Sequence, residues 1–137
     1  MEKITIFTDG GARGNPGPAA IGAVVYDASN NEMSTISECI GDTTNNVAEY
    51  AAVVRVLQHV ATIVDDTKAY HVTIKLDSQL VERQLNGAYK VKDATLKTYF
   101  DQAKELITNY ASVEFIHVKR ELNKVADKLV NAALDAG

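Results

Sequence analysis

The chain opens with a run of apolar and β-branched residues, "KITIFTD" at 3–9. Its two alternating faces are both apolar or β-branched, which predicts a central strand covered on both sides. Gly-Pro punctuation fills 10–18, and "AAIGAVVYDA" (19–28) predicts a second strand. "SNNE" (29–32) has turn chemistry, and "MSTISECIG" (33–41) alternates weakly, as a third and more exposed strand does. Short connections between the three suit an antiparallel meander.

The period then changes. Tyr50, Val53, Val54, Leu57, Val60, Ala61 and Val64 recur at helical spacing and predict an apolar stripe on a helix. "HVTIKLD" (71–77) predicts a strand, and "SQLVERQLN" (78–86) a short helix ended by Gly87. "DATLKTYFDQAKELITNY" (93–110) is an amphipathic helix, "SVEFIHV" (112–118) a strand, and "NKVADKLVNAALDA" (123–136) a closing helix. A β-β-β-α-β-α-α-β-α order implies an α/β fold with one mixed sheet and helices on its faces. The later strands enter parallel to a neighbour through helical crossovers.

Composition narrows this further. The 137 residues suit a single domain over 1–137, and 46% hydrophobic content supplies one core. A net charge of −4 gives no overall pull toward nucleic acid or membrane. The charge is uneven, with 4 basic against 9 acidic residues in 1–74 and 10 against 9 in 75–137. An anion-binding surface would draw mostly on the second part, although a solvated helix face explains the same bias. Cys39 is the single cysteine, which excludes an internal disulfide and suits a reducing, cytoplasmic setting. "MEKITIFTDGG" lacks the apolar core of a signal peptide, and no run of the chain has the length of a membrane span.

The stretch "TDGGARGNPGP" (8–18) has the glycines of a phosphate-binding loop but not its context. A P-loop needs Gly-Lys-Ser/Thr leading into a helix, and the dinucleotide fingerprint also opens a helix. Here a predicted strand follows, so no helix N-terminus faces the loop. A long Gly-Pro hairpin loop remains the simple alternative.

Four acidic residues stand in positions that solvation alone does not require. Asp9 ends the first strand and Asp77 the fourth; if these are parallel neighbours, both carboxylates emerge at one sheet edge, where ligands of α/β sheets gather. Glu49 shares a helical column with Val53, Val56 and Val60, and Asp127 one with Val130 and Leu134. Each has a purely structural reading as well. Asn46-x-x-Glu49 fits a capping box, Asp77 an N-cap, Asp127 a favourable first-turn charge and Asp9 a turn. Those separate readings do not explain why all four can converge. Clustered carboxylates repel and raise one another's pKa, and a hard divalent cation removes that cost. Oxygen ligands suit Mg²⁺ or Mn²⁺ rather than zinc, and two such ions ~3.5–4 Å apart suit phosphodiester cleavage.

"TDGGARGNPGPAAIGAVV", "TTNNVAEYAAV", "LDSQLV" and "HVKRELNKVADKLVNAA" resemble, in order and spacing, the motifs of type 1 ribonuclease H, across essentially the whole chain. The resemblance implies a five-stranded mixed sheet of order 3-2-1-4-5 flanked by helices on both faces. It also implies a hydrolase that cuts the RNA strand of RNA–DNA hybrids with Mg²⁺ or Mn²⁺, two ions per site, leaving 5′-phosphate and 3′-hydroxyl ends. Asp9, Glu49, Asp77 and Asp127 match the family's metal-binding carboxylates. Gly10, Gly11 and Asn15 match a loop that approaches the hybrid, Thr44, Asn45 and Asn46 a loop contacting phosphates and the minor groove, and Ser78 and Gln79 a further groove contact. Asn and Gln amides both donate and accept, which suits base edges and the 2′-OH without sequence preference.

Two departures mark a compact branch. The basic helix and loop of other members shrink here to "NGAYKVKDA" (86–94), where Lys90 and Lys92 are the remaining cations. The loop before the last helix is only "KREL", in a His-x-x-Arg-Glu-x-Asn-x-x-Ala-Asp pattern, with Arg120 as the candidate phosphate-assisting group; pairing with Glu121 or Asp127 is its structural alternative. His117 reads as a structural strand residue, Cys39 as a packed or partly exposed one, and His59 and His71 lack metal-ligand spacing. A monomer is expected. The competing readings are a compact enzyme that also cleaves double-stranded RNA, and a non-catalytic hybrid- or RNA-binding module.

Overall fold

The computed structural model describes residues 2–137. Its five strands are β1 (Glu2–Ala12), β2 (Gly17–Tyr26), β3 (Glu32–Thr43), β4 (Tyr70–Leu76) and β5 (Ser112–His117). Its helices are α1 (Asn45–Ile63), α2 (Gln79–Leu85), α3 (Ala94–Ile107) and α4 (Lys124–Ala136), with short 3₁₀ turns at Thr67–Ala69 and Arg120–Leu122. The strands form one sheet in the order β3-β2-β1-β4-β5. The first three are antiparallel, while β4 runs parallel to β1 and β5 parallel to β4. This is the mixed sheet the sequence implies.

Adjacent β1 residues face opposite sides of the sheet, and each side receives different helices. On one side Ile4, Ile6, Ile21, Val25, Ile74 and Phe115 pack with Tyr50, Val53 and Leu57 of α1, Val81 and Leu85 of α2, and Leu96 and Ala103 of α3. Removing a side chain such as Leu57 from water contributes roughly 1.5–3 kcal/mol. On the other side α4 lays Val130 and Ala133 against Ala20. Gly22 makes this approach possible, because a Cβ there would run into the Ala126 carbonyl.

Several boundaries differ from the sequence reading. β1 does not end at Asp9 but continues to Ala12, pairing Asp9 with Gly22 and Ala12 with Ala19. Its pairing with β4 stops at Thr8–Leu76. Asp9 therefore sits where the sheet splits, held by β2 on one side and open on the other. α1 begins at Asn45, a turn before the apolar stripe, and Thr44 is its cap, with its hydroxyl accepting from Val47 N at 3.2 Å. The capping box drawn from Asn46 and Glu49 is not what starts this helix. α2 is capped by Ser78 rather than Asp77. β5 lies at the sheet edge with only Phe115 buried, and His117 is its exposed last residue. Cys39 is exposed, its thiol donating to the Ala133 carbonyl at 3.1 Å.

Candidate active site

The split in the sheet draws in acidic side chains from separate elements. Asp9 comes from β1, Asp77 directly follows β4, Glu49 lies in α1, and Asp127 is in the first turn of α4. All four line one open cleft of about 380 Å³. One carboxylate oxygen each from Asp9, Glu49 and Asp77 lie within 4.8 Å of one another. Asp127 lines the same cleft and acts on the Asp9 carboxyl. Neither Glu49 nor Asp77 serves as a cap, so two of the structural alternatives fall away.

The cluster carries an electrostatic cost. The Asp9 carboxyl is raised from 3.8 to about 7, first by burial and then by the charge of Asp77, with a smaller push from Asp127. Glu49 is raised well above its ordinary 4.5, again first by burial and then by the charges of Asp9 and Asp77. Both are only 7% exposed, and Glu49 Oε2 is buried with no hydrogen-bond partner. An orphaned acceptor within a group of oxygen donors fits a hard divalent cation. Asp9, Glu49 and Asp77 would hold it.

The predicted substrate residues fall into three groups. Gly10 is consumed by the protein itself, because a Cβ there would overlap the Ala48 carbonyl of α1. Gly11 lines the cleft, and a Cβ there would meet only Val130 Cγ1, at an ordinary 3.7 Å. Asn15 and Asn45 tie two loops together: Asn45 N donates to Asn15 Oδ1 at 3.0 Å, and Ala12 N donates to Asn45 Oδ1 at 2.8 Å. Both asparagines are exposed, with only their amide oxygens in these bonds. Asn46 lines the carboxylate cleft and also, with Asn15 and Thr44, a neighbouring groove of about 330 Å³. Ser78 lines the cleft, whereas Gln79 is exposed outside it.

Arg120 lies on the cleft wall and takes part in none of the ion pairs among the described residues, so the expected alternative of pairing with Glu121 or Asp127 is not realised. Three further cleft-region residues carry no site role in the sequence reading. Arg13 lines the cleft and pairs with Asp135 at 2.7 Å, and Asn131 accepts from it at 3.3 Å. Asn123 is buried and donates to Asp77 Oδ2 at 3.3 Å. Arg13 and Asn131 have no local signal that separates them from solvated residues, and Asn123 stands in the His-x-x-Arg-Glu-x-Asn-x-x-Ala-Asp pattern, which does not tell what its side chain touches.

Residues 7–133 match the family described as reverse transcriptase-like. The structure superposes with a TM-score of 0.93 on LC11-RNase H1, isolated from compost by a metagenomic approach, at 46% identity over 99% of this chain and 98% of that one. This chain belongs to the type 1 ribonuclease H family. LC11-RNase H1 has also been solved in complex with an RNA/DNA hybrid, and that chain aligns at 44% identity with a TM-score of 0.88, covering 97% of each. Among curated relatives, Ribonuclease HI of Halobacterium salinarum is 38% identical over 97% of this chain. The chain spans 65% of that relative and 36% of a bifunctional protein from Mycobacterium tuberculosis.

Proposed function

We propose that this chain is a metal-dependent endoribonuclease that hydrolyses the RNA strand of RNA–DNA hybrids without sequence preference, leaving 5′-phosphate and 3′-hydroxyl ends. The observation that carries this reading is the convergence of Asp9, Glu49 and Asp77 within 4.8 Å, from three separate elements, at the split in the sheet. The hybrid-bound LC11-RNase H1 supports the substrate class.

Mg²⁺ or Mn²⁺ at the carboxylates would supply charge neutralisation and an activated water. The protein's own residues do the rest. Asp9 and Glu49, short of solvent, would hold the cations together with Asp77. Gly11 lets the nucleic-acid backbone come close. The exposed amides of Asn15, Asn45 and Asn46 and the Thr44 hydroxyl meet phosphates and groove atoms, and Gln79 extends that contact beyond the cleft. Ser78 orients α2 through its cap. Arg120 brings a cation to the scissile phosphate. The intact carboxylate set favours catalysis over a binding-only module, because binding alone does not require it. The protein is expected to act as a monomer in the cytoplasm; no helix among the described residues is long and apolar enough to cross a membrane.

The test is cleavage of labelled hybrid and double-stranded RNA in parallel, with Mg²⁺ and with Mn²⁺. Cleavage of the hybrid's RNA strand supports the reading. Binding without product under either metal replaces it with the binding module, and equal rates on both duplexes widen the substrate class.

A further inference from the structure

Asn123 occupies the N-cap position of α4, where an asparagine ordinarily bonds to the first turn of its helix, yet its side chain makes no capping bond. The side chain points into the protein and is 1% exposed. Its Nδ2 donates to the Thr8 carbonyl at 2.8 Å and to Asp77 Oδ2 at 3.3 Å. Its own carbonyl accepts from Asp127 N at 3.1 Å. One residue thus touches Asp77 directly, β1 one position before Asp9, and the backbone of Asp127.

The location explains the residue type. β1 and β4 part after the Thr8–Leu76 pair, and the amide of Asn123 supplies a donor to the Thr8 carbonyl at that point. A neutral donor can also fix one oxygen of Asp77 without bringing a positive charge that would compete with a cation. A lysine would compete, and an aspartate would add another acceptor to an acidic cluster. The bonds also define the orientation of the amide, since turning it over would set Oδ1 against two acceptors. Its Oδ1 is left buried without a partner, so ordinary packing or capping does not account for the placement.

We propose that Asn123 is a positioning residue: by holding Asp77 Oδ2 and the end of the β1–β4 seam it presets the carboxylate cluster for metal binding. This rests on the metal-site reading above. Partners of this kind, standing behind a metal ligand, typically change affinity 10- to 100-fold when removed.

The experiment is Mn²⁺ titration of the metal-free, full-length protein without nucleic acid, read by electron paramagnetic resonance well below the unfolding temperature. Asn123→Ala is expected to raise the Mn²⁺ Kd about tenfold or more. A folded Asn123→Ala with a Kd within twofold of the unaltered protein overturns the proposal and leaves Asn123 as a structural tie. Should the variant fail to fold, the side-chain amide resonances of Asn123 in the unaltered protein decide: they shift on saturation with Mg²⁺ if the proposal holds, and stay fixed if it does not. A protein that takes up no Mn²⁺ overturns the metal reading and this one together. One that binds Mn²⁺ but leaves hybrid intact overturns the proposed activity alone.

Discussion

Gly10 and Glu49 meet across the β1–α1 contact: the missing side chain of Gly10 lets α1 press on β1 at the Ala48 carbonyl and the Glu49 backbone nitrogen, and the nearby Gly10 backbone lowers the Glu49 pKa. The same glycine brings Glu49 to the site and partly opposes its raised pKa. Gly11, one residue on, faces α4 and has ordinary space around it. Gly10→Ala is therefore expected to destabilise the fold by about 1–3 kcal/mol or more, because backbone must move. Gly11→Ala should change stability by less than about 0.5 kcal/mol while weakening hybrid binding. Urea unfolding of both variants, with hybrid affinity for the second, checks the pair; equal destabilisation would contradict the distinction.

The cost of the acidic cluster shows in its pH dependence. With its folded pKa raised to about 7 from 3.8, Asp9 holds a proton in the folded protein at pH values where the unfolded chain has released it. Metal-free stability from this group is therefore greatest near pH 4 and falls as pH rises to about 7. Glu49 acts in the same direction. In EDTA at pH 8, Asp9→Asn should be more stable than the unaltered protein by roughly 1–4 kcal/mol, and the gap should shrink toward pH 5. Urea midpoints at the two pH values are the measurement, and an Asp9→Asn protein no more stable at pH 8 speaks against a strained cluster.

Metal reverses that comparison. Saturating Mn²⁺ at pH 8 should stabilise the unaltered protein by about 2.7 kcal/mol at one hundred times Kd and Asp9→Asn far less. Because bound carboxylates must be deprotonated, Mn²⁺ affinity should rise with pH up to about 7 and then level off. Thermal shift with and without metal, from pH 5.5 to 8.5, follows both effects. Identical metal stabilisation of the two proteins would remove Asp9 from the ligand set.

Arg120 is exposed on the cleft wall and free of ion pairs among the described residues, so its removal should leave the fold intact. Arg120→Ala is expected to lower kcat on hybrid about tenfold or more, a loss of ~1.4 kcal/mol in the barrier, with Tm and Mn²⁺ affinity unchanged. A drop of less than twofold would assign it no part in turnover.

The strand meander, the long helix stripe and the four convergent carboxylates were legible in the chain, because period and residue type carry them locally. The extension of β1 through Gly10, Gly11 and Ala12 was not, since glycines read as loop until β2 supplies their pairing. The start of α1 at Asn45 was hidden in the polar "TTNN", where the Thr44 cap outweighs the lack of an apolar stripe. Asn123 stood in a quoted motif, but its contacts were hidden for a different reason. Its partner Thr8 lies 115 residues away, and at the head of a helix an asparagine reads as a cap until its side chain is seen to turn inward.

The measurement that bears most directly on the central claim is cleavage of an end-labelled RNA–DNA hybrid by the unaltered protein and by Asp9→Asn, each with Mg²⁺ or Mn²⁺ and with EDTA. The account predicts RNA-strand cuts with 5′-phosphate and 3′-hydroxyl ends for the unaltered protein with metal, and none in EDTA or from a folded Asp9→Asn. Full-rate cleavage by Asp9→Asn, or by the unaltered protein in EDTA, would contradict it.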